Sequence, residues 1–251
     1  MITIVNAYEK VFPIVGAGVE GVALGDAVVI RQVYGTAFPI GMGCFLTAAH
    51  AIHAASENPW FGLAFADGEI WRASPLMDFE TIDDCDLSVV RAKLPKTRSL
   101  EWGLGELPML HPVQVVGYPY SLGLQHFIIR IRAFAGHVVS NLTFYDLSAN
   151  PRAYELSFPC PRGLSGSPLL DSNLHVAGLI TGNKATQMLV FSNREILSEG
   201  QRQTIVERYE SLQLGIAIQS DSLVGLESRI LEGSLYDHLL RSGSVSGQRA
   251  A

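Results

Sequence analysis

An all-β fold is what the sequence predicts, and three observations carry it. Short runs rich in Val, Ile, Phe, Tyr and Thr recur along the chain, punctuated by Gly, Pro, Asn and Asp. Asp67-Gly68 between two such runs is a hairpin signal. Helical periodicity is almost absent. Many short strands argue for a barrel or a sandwich, and periodicity alone goes no further than the class. The 251 residues fit one large domain or two small ones, and 48% hydrophobic residues are ample for a buried core.

In chain order, Ile4 to Ala7 and Ile14 to Ala17 read as strand starts, followed by strands over Ala27–Val33, Ala37–Leu46, Trp60–Phe65, Glu69–Ser74 and Leu87–Ala92. His50 is expected to close a strand and enter a short turn, Ala51 to Ala54. His53 lies one helical step further, but no third ligand stands at a fixed spacing, so no metal is assigned. Lys96 to Leu110 lacks strand alternation and bridges two halves. Val113 to Pro119 opens the second half, which continues with Phe127–Phe134, Gly136–Ser140, Tyr154–Ser157, Ser167–Asp171, Val176–Thr181 and Leu214–Ser220. Within Lys184 to Gln213, Gln187–Phe191 reads as a strand. Ser198–Leu212 carries Ile205, Val206, Tyr209 and Leu212 at helix-compatible spacing. Asp221 and Ser222 are caps for a helix through Leu223, Leu226, Ile230 and Leu231 that ends near Gly233. Residues 241–251 have little to bury and are expected to be a mobile tail.

Composition excludes several classes of function. Lys+Arg 18 against Asp+Glu 24 gives a formal charge of -6 with no basic cluster, so nucleic acid is not an expected partner. The N-terminal stretch has no basic start followed by a long apolar core and a small-residue cleavage site. No run reaches the about 18 apolar residues of a membrane span. The expectation is a cytoplasmic chain with no membrane partner. Cys44, Cys85 and Cys160 are odd in number and read as thiols in a reducing compartment, small buried groups rather than redox sensors. No cofactor is expected.

The stretch that carries chemistry is Cys160 to Leu170, CPRGLSGSPLL. Gly163 and Gly166 flank Ser165 closely and allow backbone dihedrals that a side chain forbids, so the amides of Gly163 and Ser165 can converge beside the Ser165 hydroxyl and stabilise an oxyanion. The bland reading is a polar turn between strands. Upstream, Gly43 to His50 sets a histidine just beyond an apolar run. Asp86 directly precedes the apolar strand Leu87–Val90, whereas Asp83 and Asp84 read as solvated. A buried carboxylate at Asp86 would accept the His50 N–H and fix its tautomer. The order His50, Asp86, Ser165 is the chymotrypsin order of a catalytic triad.

On these residues the chain resembles the trypsin-like serine peptidases, and within them the HtrA-like branch. The matching residues are Gly35 to Phe38, Thr47 to His50, Asp86 to Val90, Gly117-Tyr118-Pro119, Gly163 to Pro168 and Gly215 to Ile218. The resemblance implies two six-stranded antiparallel β-barrels with a C-terminal helix. The first barrel would lie within 1–95, a linker at 96–110, the second barrel within 111–220 with an insertion at 184–213, a helical segment at 221–240 and the tail beyond. His50 and Asp86 would come from the first barrel and Ser165 from the second. It also implies a primary pocket lined by Pro159, Cys160, Pro161 and Arg162, by Thr181, Gly182 and Asn183, and by Leu214 and Gly215. No carboxylate falls there to bind Lys or Arg, so cleavage is expected after an uncharged, small or medium aliphatic residue of a protein or peptide substrate.

Two departures from the family stand out. Zymogen-activated relatives pair a new N-terminus with an acid just before the nucleophile, where this chain has Leu164. Burying an ammonium there without a carboxylate would be costly, so cleavage-driven activation is not expected, and what orders the oxyanion loop stays open. The 184–213 insertion stands where HtrA-like members have a short hairpin. It is either decorative or a gate or docking site for a regulatory protein partner. The expected function is serine endopeptidase, constitutive or latent until a partner orders the loop. The alternatives are a silent protease-like binding module and a serine esterase.

Overall fold

The computed structural model describes residues 10–18, 20–95, 97–119, 129–196 and 203–245, with backbone alone over 186–196 and 203–209. The expected strand at Ile4–Ala7, the ends of the chain and the first residues of Phe127–Phe134 lie outside the described residues.

The strands form two closed six-stranded antiparallel barrels, as expected. The first contains β1 (Phe12–Ala17), β2 (Gln32–Gly41), β3 (Cys44–Thr47), β4 (Trp60–Asp67), β5 (Ile70–Ile82) and β6 (Leu87–Ala92), in the order β1-β2-β3-β6-β5-β4. The second contains β7 (Pro112–Gly117), β8 (Arg132–Thr143), β9 (Arg152–Leu156), β10 (Pro168–Leu170), β11 (Val176–Ile196) and β12 (Gln203–Gln219), in the order β10-β11-β12-β9-β8-β7. Closure leaves neither sheet an open edge along its ring.

Several boundaries differ from the sequence reading. Ala27–Val33 is not a strand: it touches β5 by one bridge, Ala27 to Arg72, and pairing starts at Gln32. Ala37–Leu46 is two strands rather than one. Gly41, Met42 and Gly43 all take positive φ and turn the chain back on itself. The short turn expected after His50 is a helix, α1 (Ala49–Ser56), which buries Ala49, Ala51, Ile52 and Ala55. Alanine favours a helix without announcing one by hydrophobic contrast. It ends at Ser56, and the Asn58 side chain donates to the Ala55 carbonyl at 2.8 Å just before Pro59.

The Ser198–Leu212 helix is also corrected: from Gln203 onward this segment is β12. It pairs with β11 from Gly178↔Gln219 out to Ile196↔Gln203, so the insertion is a long two-stranded arm growing from the second barrel. Thr204, Ile205 and Val206 are β-formers, and a continuous partner strand overrides the helical spacing.

The C-terminal helix is present, but it lies later than expected. After α2 (Ser220–Leu223) the chain makes a small ribbon, β13 (Glu227–Ser228) with β14 (Gly233–Ser234), and only then α3 (Leu235–Arg241). The cap is Ser234, whose hydroxyl accepts the Asp237 N–H at 3.1 Å, rather than Asp221 or Ser222. Leu231, Leu235 and Leu239 join the cluster that holds Phe38, Ile40, Phe45 and Leu46 of the first barrel. Polar contacts fasten the same segment: Arg91 donates to the Ile230 carbonyl at 2.8 Å and Ser228 to Glu80 at 2.7 Å. The start of the expected tail is also held. Ser244 is buried, its carbonyl accepts the Trp102 N–H at 2.9 Å and its hydroxyl donates to Ser99 at 2.6 Å.

The second barrel is filled by Val113, Val115, Val138, Tyr154, Leu156, Leu169, Ile180 and Ala217, with Leu164 among them. No helix among the described residues is long and apolar enough to cross a membrane.

If the C-terminal segment is part of the first barrel's core, Leu239→Ala lowers unfolding stability by about 2–5 kcal/mol, the range for a buried leucine truncated in a packed core. Urea unfolding measures it. A loss below about 1 kcal/mol would show the helix to be an ornament.

Candidate active site

Ser165 sits on a turn between Phe158 and β10. The turn begins with the Leu164 N–H donating to the Pro161 carbonyl at 3.1 Å, and Gly163 within it has φ +96. Gly166 has φ +83, and a Cβ there would lie 2.2 Å from Thr47 Oγ1 and 2.4 Å from the Thr36 carbonyl. Both positions need glycine, the first for its backbone angle and the second for space as well. Leu164, where zymogen relatives carry an acid, is fully buried in the second barrel and roots the turn by packing alone.

The backbone hydrogen bonds of this turn are unequally shared. The carbonyl of Pro161 accepts from Leu164 N, that of Gly163 from Thr36 Oγ1 at 2.8 Å, that of Leu164 from Ser167 N at 2.9 Å and that of Ser165 from Thr36 N at 2.8 Å. The Gly166 N–H donates to Ile180 at 2.7 Å. Among the described residues, neither the Gly163 nor the Ser165 N–H has an acceptor. Two unused amides beside a serine hydroxyl are donors available to an oxyanion.

His50 is the second residue of α1, beside the loop that holds Asp86. A 3₁₀ turn, Asp83–Cys85, delivers Asp86 in the left-handed region, φ 49, ψ 41, an angle that aspartate tolerates better than most side chains. Its carboxylate is buried and well supplied. It accepts the His50 backbone N–H at 3.0 Å and faces His50 Nδ1 with both oxygens at 2.9 Å, and Thr181 Oγ1 donates to Oδ2. A carboxylate acceptor places the hydrogen on Nδ1, which leaves Nε2 free to take a proton. The side chain of Asp86 is 9% exposed and that of His50 48%, so the pair is anchored at the acid and open at the base. Asp83 and Asp84 are exposed and bond elsewhere, Asp83 to His53 Nε2 at 2.7 Å and Asp84 to Ser148. Among the described residues no group of His, Cys, Asp and Glu is placed to hold a metal ion.

The Ser165 hydroxyl donates to the Thr181 carbonyl at 3.5 Å, and no hydrogen bond joins it to His50 among the described residues. Thr181 therefore touches both ends of the site: its hydroxyl holds Asp86 and its carbonyl receives Ser165. It was expected only as pocket wall.

The two walls expected for the primary pocket meet. The Cys160 N–H donates to Asn183 Oδ1 at 2.5 Å, and Asn183 Nδ2 donates to the Cys160 carbonyl at 2.7 Å. A bidentate amide thus ties Asn183 on β11 to the Pro159–Arg162 wall. Gly215 closes the far side, its N–H donating to the Phe158 carbonyl at 2.9 Å. Cys160 is buried, Pro159, Arg162 and Asn183 are exposed, and Leu214 and Gly182 are half-buried. Sequence reasoning missed the Thr181 hydroxyl and the Asn183 clamp, and gave Thr36 no role. The available signal was a threonine set in an apolar strand, where its hydroxyl must find a partner.

The trypsin-like peptidase domain profile matches residues 25–179. No curated protein shows a significant sequence match. Among solved structures, the HtrA-type protease AlgW with a decapeptide is 17% identical with a TM-score of 0.56, over 85% of this chain and 61% of that one. An inactive form of a serine-to-alanine mutant of Rv3671c from M. tuberculosis H37Rv is 16% identical with a TM-score of 0.53, over 98% and 92%. The serine endoprotease from Yersinia pestis is 18% identical with a TM-score of 0.51, over 85% and 59%. The chain spans 57% of the length of AlgW solved with a tripeptide.

All three cysteines are buried and free. Burial raises each thiol above its ordinary range, Cys160 to about 12. At pH 8 iodoacetamide should alkylate none of them within an hour in the folded protein and all of them after unfolding, as read by intact mass. Rapid single alkylation of Cys160 would contradict this and revive a redox role.

Proposed function

Since the chain belongs to the trypsin-like peptidase domain family, we propose that it is a serine endopeptidase acting through His50, Asp86 and Ser165. The observation that carries this reading is the pair of unused amides at Gly163 and Ser165 beside a hydroxyl, with Thr181 joining that hydroxyl to the carboxylate that anchors His50.

In the proposed reaction the Ser165 Oγ bonds to the scissile carbonyl carbon while its proton passes to His50 Nε2, and the carbonyl oxygen becomes an anion held by the Gly163 and Ser165 N–H groups. Collapse breaks the C–N bond, and the imidazolium gives its proton to the leaving amine. Water then bonds to the acyl carbon as His50 takes its proton, the bond from that carbon to Ser165 Oγ breaks, and the imidazolium returns the proton to Oγ, which releases the carboxylic acid and restores Ser165. Asp86 keeps the Nδ1 hydrogen in place and stabilises the imidazolium, and Thr181 steadies Asp86. Losing one oxyanion donor typically costs about 2.7–4 kcal/mol of barrier, so the order of the turn matters as much as the triad.

AlgW was solved with a decapeptide, which supports a peptide as the substrate class here. The pocket walls contain no carboxylate and are joined across by Asn183, which favours a small or medium aliphatic side chain before the cut. Three unpaired thiols suit a reducing compartment such as the cytoplasm. The β11–β12 arm leaves the pocket from Asn183 and returns at Leu214, a position from which it gates access or receives a protein partner. One observation favours a latent form as the second reading: the Ser165 hydroxyl faces Thr181 rather than His50. Catalytic hydrogen bonds are often long without substrate, which keeps constitutive activity ahead.

Digestion of a mixed peptide library, analysed by mass spectrometry, tests the reading. The wild type should cleave after small or medium aliphatic residues and Ser165→Ala should not cleave at all. A profile dominated by Arg or Lys would refute the pocket assignment, and equal cleavage by Ser165→Ala would refute the mechanism. Replacing Lys184 to Gln213 by a short turn should shift rate or profile if the arm gates access. No change would make it decorative.

A further inference from the structure

Gly35 to Phe38 matches the family without a role for any of its side chains. Thr36, on β2 of the first barrel, is fully buried, and all its polar groups are engaged with the nucleophile turn or its immediate support. Its N–H donates to the Ser165 carbonyl at 2.8 Å, its hydroxyl donates to the Gly163 carbonyl at 2.8 Å, and the same hydroxyl oxygen accepts the Tyr118 N–H at 3.0 Å. Its own carbonyl accepts the Thr47 hydroxyl at 2.8 Å, which fixes the threonine in turn.

The spacing between the Gly163 and Ser165 amides depends on the backbone angles of Gly163 and Leu164. Gly163 has no side chain to limit those angles. The second barrel pins this segment through the buried Leu164 side chain, the Leu164 N–H on Pro161, the Leu164 carbonyl under Ser167 and the Gly166 N–H on Ile180, and Thr36 of the first barrel holds the two remaining carbonyls, those of Gly163 and Ser165. Without the hydroxyl, the Gly163 carbonyl would be left unpaired inside the protein and would turn toward any donor it could reach, rotating the Gly163–Leu164 peptide that links the two amides and changing their relative placement. The hydroxyl makes these contacts without a free N-terminus and without an acid at position 164.

We propose that Thr36 is the positioning residue of the oxyanion turn, its hydroxyl setting the Gly163 peptide so that both amides face one point. The inference rests on the reading of Ser165 as nucleophile given above. It assigns to a neutral hydroxyl in the first barrel the ordering of a loop in the second.

The test is saturation kinetics of labelling by a fluorophosphonate, whose phosphoryl oxygen occupies the oxyanion position. Wild type, Thr36→Val and Thr36→Ser are compared by intact mass, with thermal midpoints recorded for each. Thr36→Val should lower the maximal labelling rate tenfold or more with the half-saturating concentration unchanged, and Thr36→Ser should stay within threefold of wild type. If Thr36→Val does not fold, Thr36→Ala is measured in its place, with the same expectation. A folded variant lacking the hydroxyl that labels within threefold of wild type would overturn the proposal. So would Thr36→Ser slowing as much as Thr36→Val, since packing rather than the hydrogen bond would then be responsible. Wild type that does not label at all would overturn the reading of Ser165 as a nucleophile competent in the isolated chain, and this inference with it.

Discussion

Around Ser165 every backbone carbonyl from Gly163 to Ser165 has a donor, while the amides of Gly163 and Ser165 have no acceptor. Buried backbone groups are almost always paired, so such an imbalance persists only where the surrounding structure holds it. Here the holding is shared between the barrels. The second barrel buries Leu164 and takes the Gly166 N–H at Ile180, and the first contributes Thr36 and a wall so close that Gly166 can carry no side chain. The site is therefore a property of the interface.

The acid–base half obeys a similar constraint. A carboxylate as buried as Asp86 needs its lone pairs filled, and it draws its donors from both sides: the His50 backbone and ring from the first barrel and the Thr181 hydroxyl from the second. Those contacts aim the imidazole. His50 is anchored through its backbone N–H and its Nδ1 edge, and its side chain stays half exposed. Within the second barrel, Asn183 on β11 bonds back to Cys160. The placement of His50, Asp86 and the Ser165 turn thus depends on how the barrels pack. The C-terminal segment, buried among Phe38, Ile40 and Phe45, supports that packing from behind.

Much of this was legible in the sequence wherever local chemistry dictates local structure. Gly163 and Gly166 announced a tight turn, the apolar run Leu87–Val90 singled out Asp86 from its acidic neighbours, and the strand pattern gave the all-β class. What was not legible came from distant partners. The Ser198–Leu212 spacing suits a helix, yet β11 offers a continuous ladder of backbone partners, and the segment from Gln203 follows the ladder. Leu226, Ile230 and Leu231 point to the first barrel by position in a turn rather than by helical phase, because Glu232 and Gly233 take positive φ ahead of the Ser234 cap. Alanine-rich α1 has too little hydrophobic contrast to show its period. The roles of Thr36, Thr181 and Asn183 depend on contacts across the barrels or the pocket, which no spacing encodes.

The claim on which the account depends is that the oxyanion turn is assembled in the chain by itself. A crystal structure of the partner-free protein with a peptidyl boronic acid bonded to Ser165 Oγ measures this directly. The account expects one boronate oxygen within about 3 Å of both the Gly163 and Ser165 nitrogens, with the Gly163 carbonyl still on the Thr36 hydroxyl. A boronate held at Ser165 with its oxygens turned away from those amides, or with the Arg162 carbonyl pointing into their place, would contradict it.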